Sequence, residues 1–213
     1  MQIKNKNYKI NYVEQKYSKE DAYKTLDIIN MWIGNVDSKI SYSLTFIGVL
    51  LGFFITTSKP INISQVVDKI IKKIGQISRD GIHTSLNSIE LKEIISVIIL
   101  ILIFIFIITA SVACIYLYKG IKGRIDSDIY NQDGVVIKSN IFWDSISNQQ
   151  YRDFYKNIKV LDESDLIRDI SSQIFINSKI CTEKFKNYNK GVDYIVISVI
   201  IFFMYTIIGY IFI

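Results

Sequence analysis

Ser96-Val-Ile-Ile-Leu-Ile-Leu-Ile-Phe-Ile-Phe-Ile-Ile108 decides the fold of this chain. After its serine the run holds no polar side chain, and no charge interrupts Ile94 to Tyr118, between Glu93 and Lys119. A buried strand of that length would be abnormal, and a helix in a soluble protein is not apolar all round. A hydrocarbon core about 30 Å thick needs roughly 20 apolar helical residues. Residues 94–118 meet that length and are read as a membrane span.

Two further stretches qualify. Ile40 to Ser58 is free of charge between Lys39 and Lys59, and Tyr194 to Ile213 follows Asp193. The chain of 213 residues is 50% hydrophobic with a mean hydropathy of +0.26, yet 21% of it is charged, so a substantial part must sit in water. One proline and ten glycines favour long unbroken helices over turn-rich β architecture. The first 30 residues hold no apolar run, so no signal peptide is expected.

With three spans the two termini fall on opposite sides, and lysine and arginine decide which is inside. Segments 1–39 and 119–193 together carry nineteen of these residues, and the loop 59–93 carries six. The expected order is a cytoplasmic N-terminal helix (1–39), a first span (40–58), an extracytoplasmic loop (59–93), a second span (94–118), a cytoplasmic helical region (119–193) and a third span (194–213). The N-terminus is then cytoplasmic and the C-terminus extracytoplasmic. In the loop, Ile63, Val67, Ile70, Ile74 and Ile77 recur at helical spacing with lysines mostly elsewhere, the pattern of a basic amphipathic helix on a membrane surface. In the first span Gly48 and Gly52 stand four apart, a spacing that lets helix backbones approach closely.

Ser18 with Asp21 has the form of a helix cap with an acidic partner. Ala22, Leu26, Ile29, Ile33 and Val36 then make one stripe, and nothing stops a helix from residue 19 to 57. After Lys119, Gly120, Gly123 and Gln132-Asp133-Gly134 point to a loop, with room for a small hairpin pairing Ile129-Tyr130 with Val135-Val136. Residues 141–159 read as a helix with Phe142, Ile146, Phe154 and Ile158 as its buried face. Asp162 or Ser164 can cap a last helix, which carries Ile167, Ile170, Ile174, Cys181, Phe185, Tyr188 and Val192 at three- and four-residue steps and runs without a breaker into the third span. The fold class is therefore an all-α membrane protein with three transmembrane helices, two of them continuous with a small helical cytoplasmic module. Such a module is marginal for a core of its own, so a homo-oligomer is expected.

Motifs for catalysis are missing. The chain has no P-loop, no Gly-x-Ser-x-Gly, no Gly-x-Gly-x-x-Gly and no Cys-x-x-Cys. Its single histidine, His83, has no metal-ligating neighbours, so no metal site is read. Cys114 lies in an apolar run and Cys181 in a polar one, so no disulfide is expected between them. Asp126 with Asp128, and Asp162 with Glu163 and Asp165, are read as loop and helix-start acids. The expectation is a protein that is not an enzyme and holds no cofactor. The lysines flank spans, where topology and anionic lipid account for them better than nucleic acid does.

Two segments carry more information. Met31-Trp-Ile-Gly-Asn-Val-Asp-Ser-Lys-Ile40 runs into the first span, and Asp165-Leu-Ile-Arg-Asp-Ile-Ser-Ser-Gln-Ile-Phe-Ile-Asn-Ser-Lys-Ile-Cys-Thr-Glu-Lys-Phe185 leads to the third. With Phe142-Trp143 and Ile146 after the second span, they resemble the transmembrane effector family of Pycsar antiphage systems. The matching positions are Trp32, Ile33, Asp37 and Lys39, then Asp169, Gln173, Ile174, Lys184 and Phe185. Ile40 and Ser172 depart from the family's commoner residues.

The resemblance implies a bacterial inner-membrane effector. A partner cyclase would make a cyclic pyrimidine mononucleotide, cUMP or cCMP, and the effector would bind it on its cytoplasmic side. It would then impair the membrane and stop growth of the infected cell. Candidate ligand-binding residues are Trp32, Asp37, Lys39, Arg168, Gln173 and Lys184. Arg168 suits a phosphate because its fork is bidentate, Gln173 can read a base edge, and Trp32, Trp143 or Tyr151 can stack. Asp37, one turn before the bilayer, either pairs with a base on the last helix, with Lys184 as the candidate, or caps the interface while Lys39 snorkels to the headgroups. A holin-like pore former that needs no messenger and a non-enzymatic membrane scaffold remain the other readings.

Overall fold

A computed structural model describes residues 17–57, 67–68, 71–72, 74–75, 91–125 and 127–212. Three helices, α1 (Lys19–Thr57), α2 (Leu91–Lys122) and one near the C-terminus, are long and apolar enough to cross a membrane. Between α2 and that last helix lie a 3-10 turn at Ser127–Ile129 and the short helices α3 (Trp143–Ser147) and α4 (Tyr151–Val160); the last is α5 (Glu163–Phe212). Among the described residues there is no strand. The expected hairpin at 129–136 is therefore absent: Ile129 closes the 3-10 turn, and Val135 N–H bonds the Gln132 carbonyl within a local turn.

The chain divides into two compact units. One comprises Met1–Met31 and Asp126–Ser178, the other Trp32–Ile125 and Lys179–Ile213. Helices α1 and α5 contribute residues to both.

In the apolar unit, α2 buries Ile95, Ile99, Ile103, Phe106, Ala110, Ala113 and Leu117, a set that steps by three and four residues and so lies on one face. Leu50 of α1 and Ile201, Phe202 and Tyr205 of α5 complete one cluster around it; Val36, Ile40, Ile47 and Ile195 complete a second. Lipid tails are as apolar as leucine, so water supplies no force for this association within the bilayer. Close packing and a few hydrogen bonds must supply it. The rings of Phe54, Phe106, Phe202 and Tyr205 meet at centroid distances of 5.1 to 6.1 Å. The Ser198 hydroxyl donates to the Thr109 hydroxyl at 2.9 Å, joining α5 to α2. The opposite faces expose Ile98, Ile101, Phe104, Ile197, Ile200 and Phe203, as a helix facing lipid would.

Glycines set how closely these helices approach, though not the ones the sequence singled out. A Cβ on Gly191 would come within 2.7 Å of Leu117 Cδ2, whereas a Cβ on Gly48 or Gly52 would meet nothing within 4 Å. Those two therefore perform no close packing against the other described residues. The second helix also runs past the expected loop start at Lys119, to Lys122. Gly120 lies inside it because Ile40 Cδ1 presses to 2.8 Å from where a Cβ would stand. Gly123, at φ +52°, ends it, with its N–H on the Lys119 carbonyl.

In the polar unit, Ser18 and Asp21 cap α1 reciprocally. The Asp21 N–H donates to Ser18 Oγ at 3.1 Å, and the Ser18 N–H donates to Asp21 Oδ2 at 3.1 Å. Ala22 is fully buried at the start of the expected stripe, and Val36, its last member, is fully buried in the apolar unit. Asp162, rather than Ser164, caps α5: its Oδ1 accepts the Asp165 N–H at 2.7 Å. The expected helix over 141–159 is broken in two. The amides of Asn148 and Gln149 fold back onto the carbonyls of Asp144 and Ser145 and close α3, and α4 restarts at Tyr151. Its expected inner face is only half formed, because Phe142 and Ile158 are exposed. Of the amphipathic helix expected at 63–77, only residues 67–68, 71–72 and 74–75 are described, and those are helical. Cys114 and Cys181 are both free thiols.

Candidate functional site

Four of the six candidate residues come together in the apolar unit, near the ends of its apolar runs. Lys184 Nζ, on α5, donates to Asp37 Oδ1 of α1 at 2.5 Å and to the Ile121 carbonyl of α2 at 2.9 Å. The pairing read from the sequence is thus present, and it has a third member. Lys184's side chain is 7% exposed and Asp37's 43%, so the ammonium is sheltered while the carboxylate still reaches solvent. Two of the three ammonium donors are already used. The lysine stem also explains Gly123, since Lys184 Cε lies 2.6 Å from where a Cβ would stand. Beside this pair the ring of Phe185 meets the Trp32 edge at 6.3 Å and lies 5.7 Å from Lys39 Nζ. Cys181, one turn before Phe185, has its thiol pushed above the usual range by burial, against the opposing pull of Lys184. Such a thiol is a poor nucleophile.

The other two, Arg168 and Gln173, lie in the polar unit on the first turns of α5. Segment 134–142 crosses that face and is held by side chains bonding its backbone. Arg168 Nε donates to the Gly134 carbonyl at 3.3 Å, and Ser172 Oγ accepts the Val136 N–H at 3.0 Å. Asp169 Oδ2 accepts the Asn140 N–H at 2.7 Å, and Ser139 Oγ accepts the amides of Ile141 and Phe142. Arg168 is exposed, so much of its guanidinium fork remains open to a ligand. Gln173 is 6% exposed.

Asp169 matters most here, and residue-type reasoning left it off the candidate set. It is 1% exposed, and its Oδ1 has no hydrogen-bond partner among the described residues. A carboxylate oxygen is costly to bury without a donor, which makes this the most polar point of the buried face. The only sequence signal was its place in the family-like segment four residues before Gln173, which puts both on one helix face. Trp143 and Tyr151, the candidate stacking residues of this unit, are 71% and 79% exposed. Among the described residues no three histidine, cysteine or carboxylate side chains gather as a metal site would require.

Three helices long and apolar enough to cross a membrane, in a chain that also folds a separate polar unit, define a helical membrane protein. The particular family follows from sequence comparison. Residues 81–211 match the family described as the Pycsar effector protein domain. The chain is also 35% identical over 192 residues to the Pycsar effector protein GmPycTM of Gulbenkiania mobilis, covering 90% of this chain and 93% of that protein. No solved structure matches it. This chain belongs to the Pycsar transmembrane effector family and is a membrane effector of antiphage defence.

Proposed function

We propose that this effector is activated by a cyclic pyrimidine mononucleotide, cUMP or cCMP, which a partner cyclase makes on infection. On binding, it impairs the bacterial inner membrane and halts the infected cell before phage mature. It works as a homo-oligomer, with its N-terminus and polar unit cytoplasmic and its C-terminus outside, and it performs no catalysis. The family match carries this reading.

The geometry supports a division of labour among the candidate residues. Arg168, exposed and planar, takes the phosphate. Gln173 and the Asp169 Oδ1 are buried here, so they can meet the polar edge of the base only once segment 134–142 moves off this face. Asp37 and Lys184 bind each other, so their part is to hold α1, α2 and α5 in the resting arrangement. Trp32 and Lys39 buttress that pair through Phe185. A ligand shifts such an equilibrium only by its differential affinity for two states. The open face of α1 at Gly48 and Gly52 supports contact with a further helix.

The test is membrane potential in cells expressing the protein, with and without cUMP or cCMP. Depolarisation only with one nucleotide is the expected result and names the base. Depolarisation with none would favour a holin-like pore, and no depolarisation in either case would favour a scaffold.

A further inference from the structure

Tyr116 of α2 and Tyr194 of α5 stack at the ends of their apolar runs, with centroids 5.8 Å apart and planes within 9°. Two lysines from the same two helices come to the same ring. Lys119 Nζ lies 5.6 Å from the Tyr116 centroid and Lys190 Nζ lies 5.4 Å from it. One turn along from Lys119, Lys122 Nζ sits 4.7 Å from the ring of Tyr118. Neither Lys119 nor Lys190 forms an ion pair with a carboxylate of the described residues.

Two ammonium groups drawn toward one ring make a locally positive site that an anion would stabilise. The ring attracts each cation through its face but carries no net charge to cancel them. On the apolar side of this girdle, Ile197 and Ile108 are exposed, a surface suited to acyl chains. An anion at this level therefore meets ammonium groups at its phosphate, tyrosine rings at its glycerol and branched carbons below. We infer that Tyr116, Lys119, Lys190 and Tyr194 form a binding site for the phosphodiester of an anionic glycerophospholipid, bridging α2 and α5. Tyrosine favours the interface because one end of its ring is apolar and the other wet. The two lysines belong to different helices, so the lipid also ties those helices together at this end.

A cyclic nucleotide carries a phosphodiester too, so the test has separate arms. The full chain is purified in neutral detergent, stripped of lipid, and its melting temperature read with phosphatidylglycerol, with phosphatidylcholine of the same acyl chains, and with cUMP or cCMP. The expected result is a rise of several degrees with phosphatidylglycerol and none with phosphatidylcholine. In the Lys119→Gln, Lys190→Gln double variant most of that rise is lost, while it persists in the Lys159→Gln, Lys186→Gln variant of equal charge. An equal rise with phosphatidylcholine overturns the inference, as does an undiminished rise in the double variant. A nucleotide-induced rise that the double variant abolishes overturns it as well, since the site would then serve the soluble phosphate. If the double variant does not survive purification, native mass spectrometry of Lys190→Gln decides: loss of bound phosphatidylglycerol relative to the unaltered protein supports the site, and unchanged retention overturns it.

Discussion

Around Phe106 the apolar unit is closed by rings and branched carbons, whereas around Asp169 the polar unit is closed by side chains bonding a crossing backbone. In lipid the first kind of closure has no help from water. It rests on fit, and a few polar contacts inside it carry more weight than their number implies. In water the second kind exchanges one hydrogen-bond partner for another, so each contact contributes little and the set acts through its number. The Lys184 junction is the exception that joins the two cases, because it places a charged hydrogen-bond network within a packed helical unit.

The largest effect is therefore expected at Lys184. Lys184→Met keeps the stem against Gly123 but deletes the ammonium, leaving Asp37 and the Ile121 carbonyl without their donor. The expected loss is about 2–3 kcal/mol, below the figure for a fully buried pair because Asp37 is half in solvent. Asp37→Asn should cost about 1 kcal/mol, since the amide oxygen still accepts from Nζ. Unfolding titrations in mixed detergent, run as a double-mutant cycle, measure the coupling. A cycle that closes to zero would remove the network from the list of forces holding the unit.

Next comes the fit of the helices. Gly191→Val drives a branched side chain into Leu117 and the Ala113 carbonyl on α2, and overpacking of that kind costs about 1–3 kcal/mol. Gly48→Ala, with open space around its new Cβ, should be neutral or slightly stabilising. The same unfolding titration reads both, and a similar loss at the two glycines would contradict the assignment of close approach to Gly191 rather than Gly48.

These pairs show what was legible in the sequence. The spans, the Ser18–Asp21 cap and the Asp37–Lys184 pair were readable because each depends on local spacing or on the cost of a charge beside the bilayer. Gly191 was not, because its neighbour Leu117 lies on another span and no local pattern links them. Gly120 misled for the same reason: alone it reads as a breaker, and only Ile40 pressing on it from α1 shows why a glycine stands within the helix. The break between α3 and α4 went unseen because Asn148 and Gln149 are permissible in a helix. Their amides chose the carbonyls of the preceding turn instead. Asp169 was quoted only as part of a motif, since its burial depends on segment 134–142, whose path the sequence does not dictate.

A smaller effect is expected in the polar unit. Asp169→Ala removes the acceptor of the Asn140 N–H but also the partnerless Oδ1, so the two changes oppose each other. The net loss should be about 1 kcal/mol. Its signature is local: hydrogen exchange at Asn140 should rise severalfold while amides of α2 stay unchanged. A rise spread over both units would mean that Asp169 holds more than one segment.

The smallest effect is the most discriminating between the two units, because it comes from titration alone. Hydrogen bonds from the Ser18 hydroxyl and the Ser18 N–H hold the Asp21 carboxyl below its usual 3.8. The Asp165 N–H, followed by the Ser164 hydroxyl, does the same for Asp162. A carboxyl with a depressed folded pKa contributes stability that is fully present above its unfolded value and is lost as pH falls through the folded one. Both caps should therefore hold at pH 5 and weaken progressively below about pH 4. Both carboxyls are solvent-exposed, so the loss stays confined to the first turns of α1 and α5. Hydrogen exchange corrected for the intrinsic acid dependence should show those turns opening, with the buried face of α2 unaffected. Ser18→Ala should bring the α1 change to higher pH and leave α5 where it was. An α1 transition that did not move would assign the acid sensitivity to the helix dipole in general rather than to this cap.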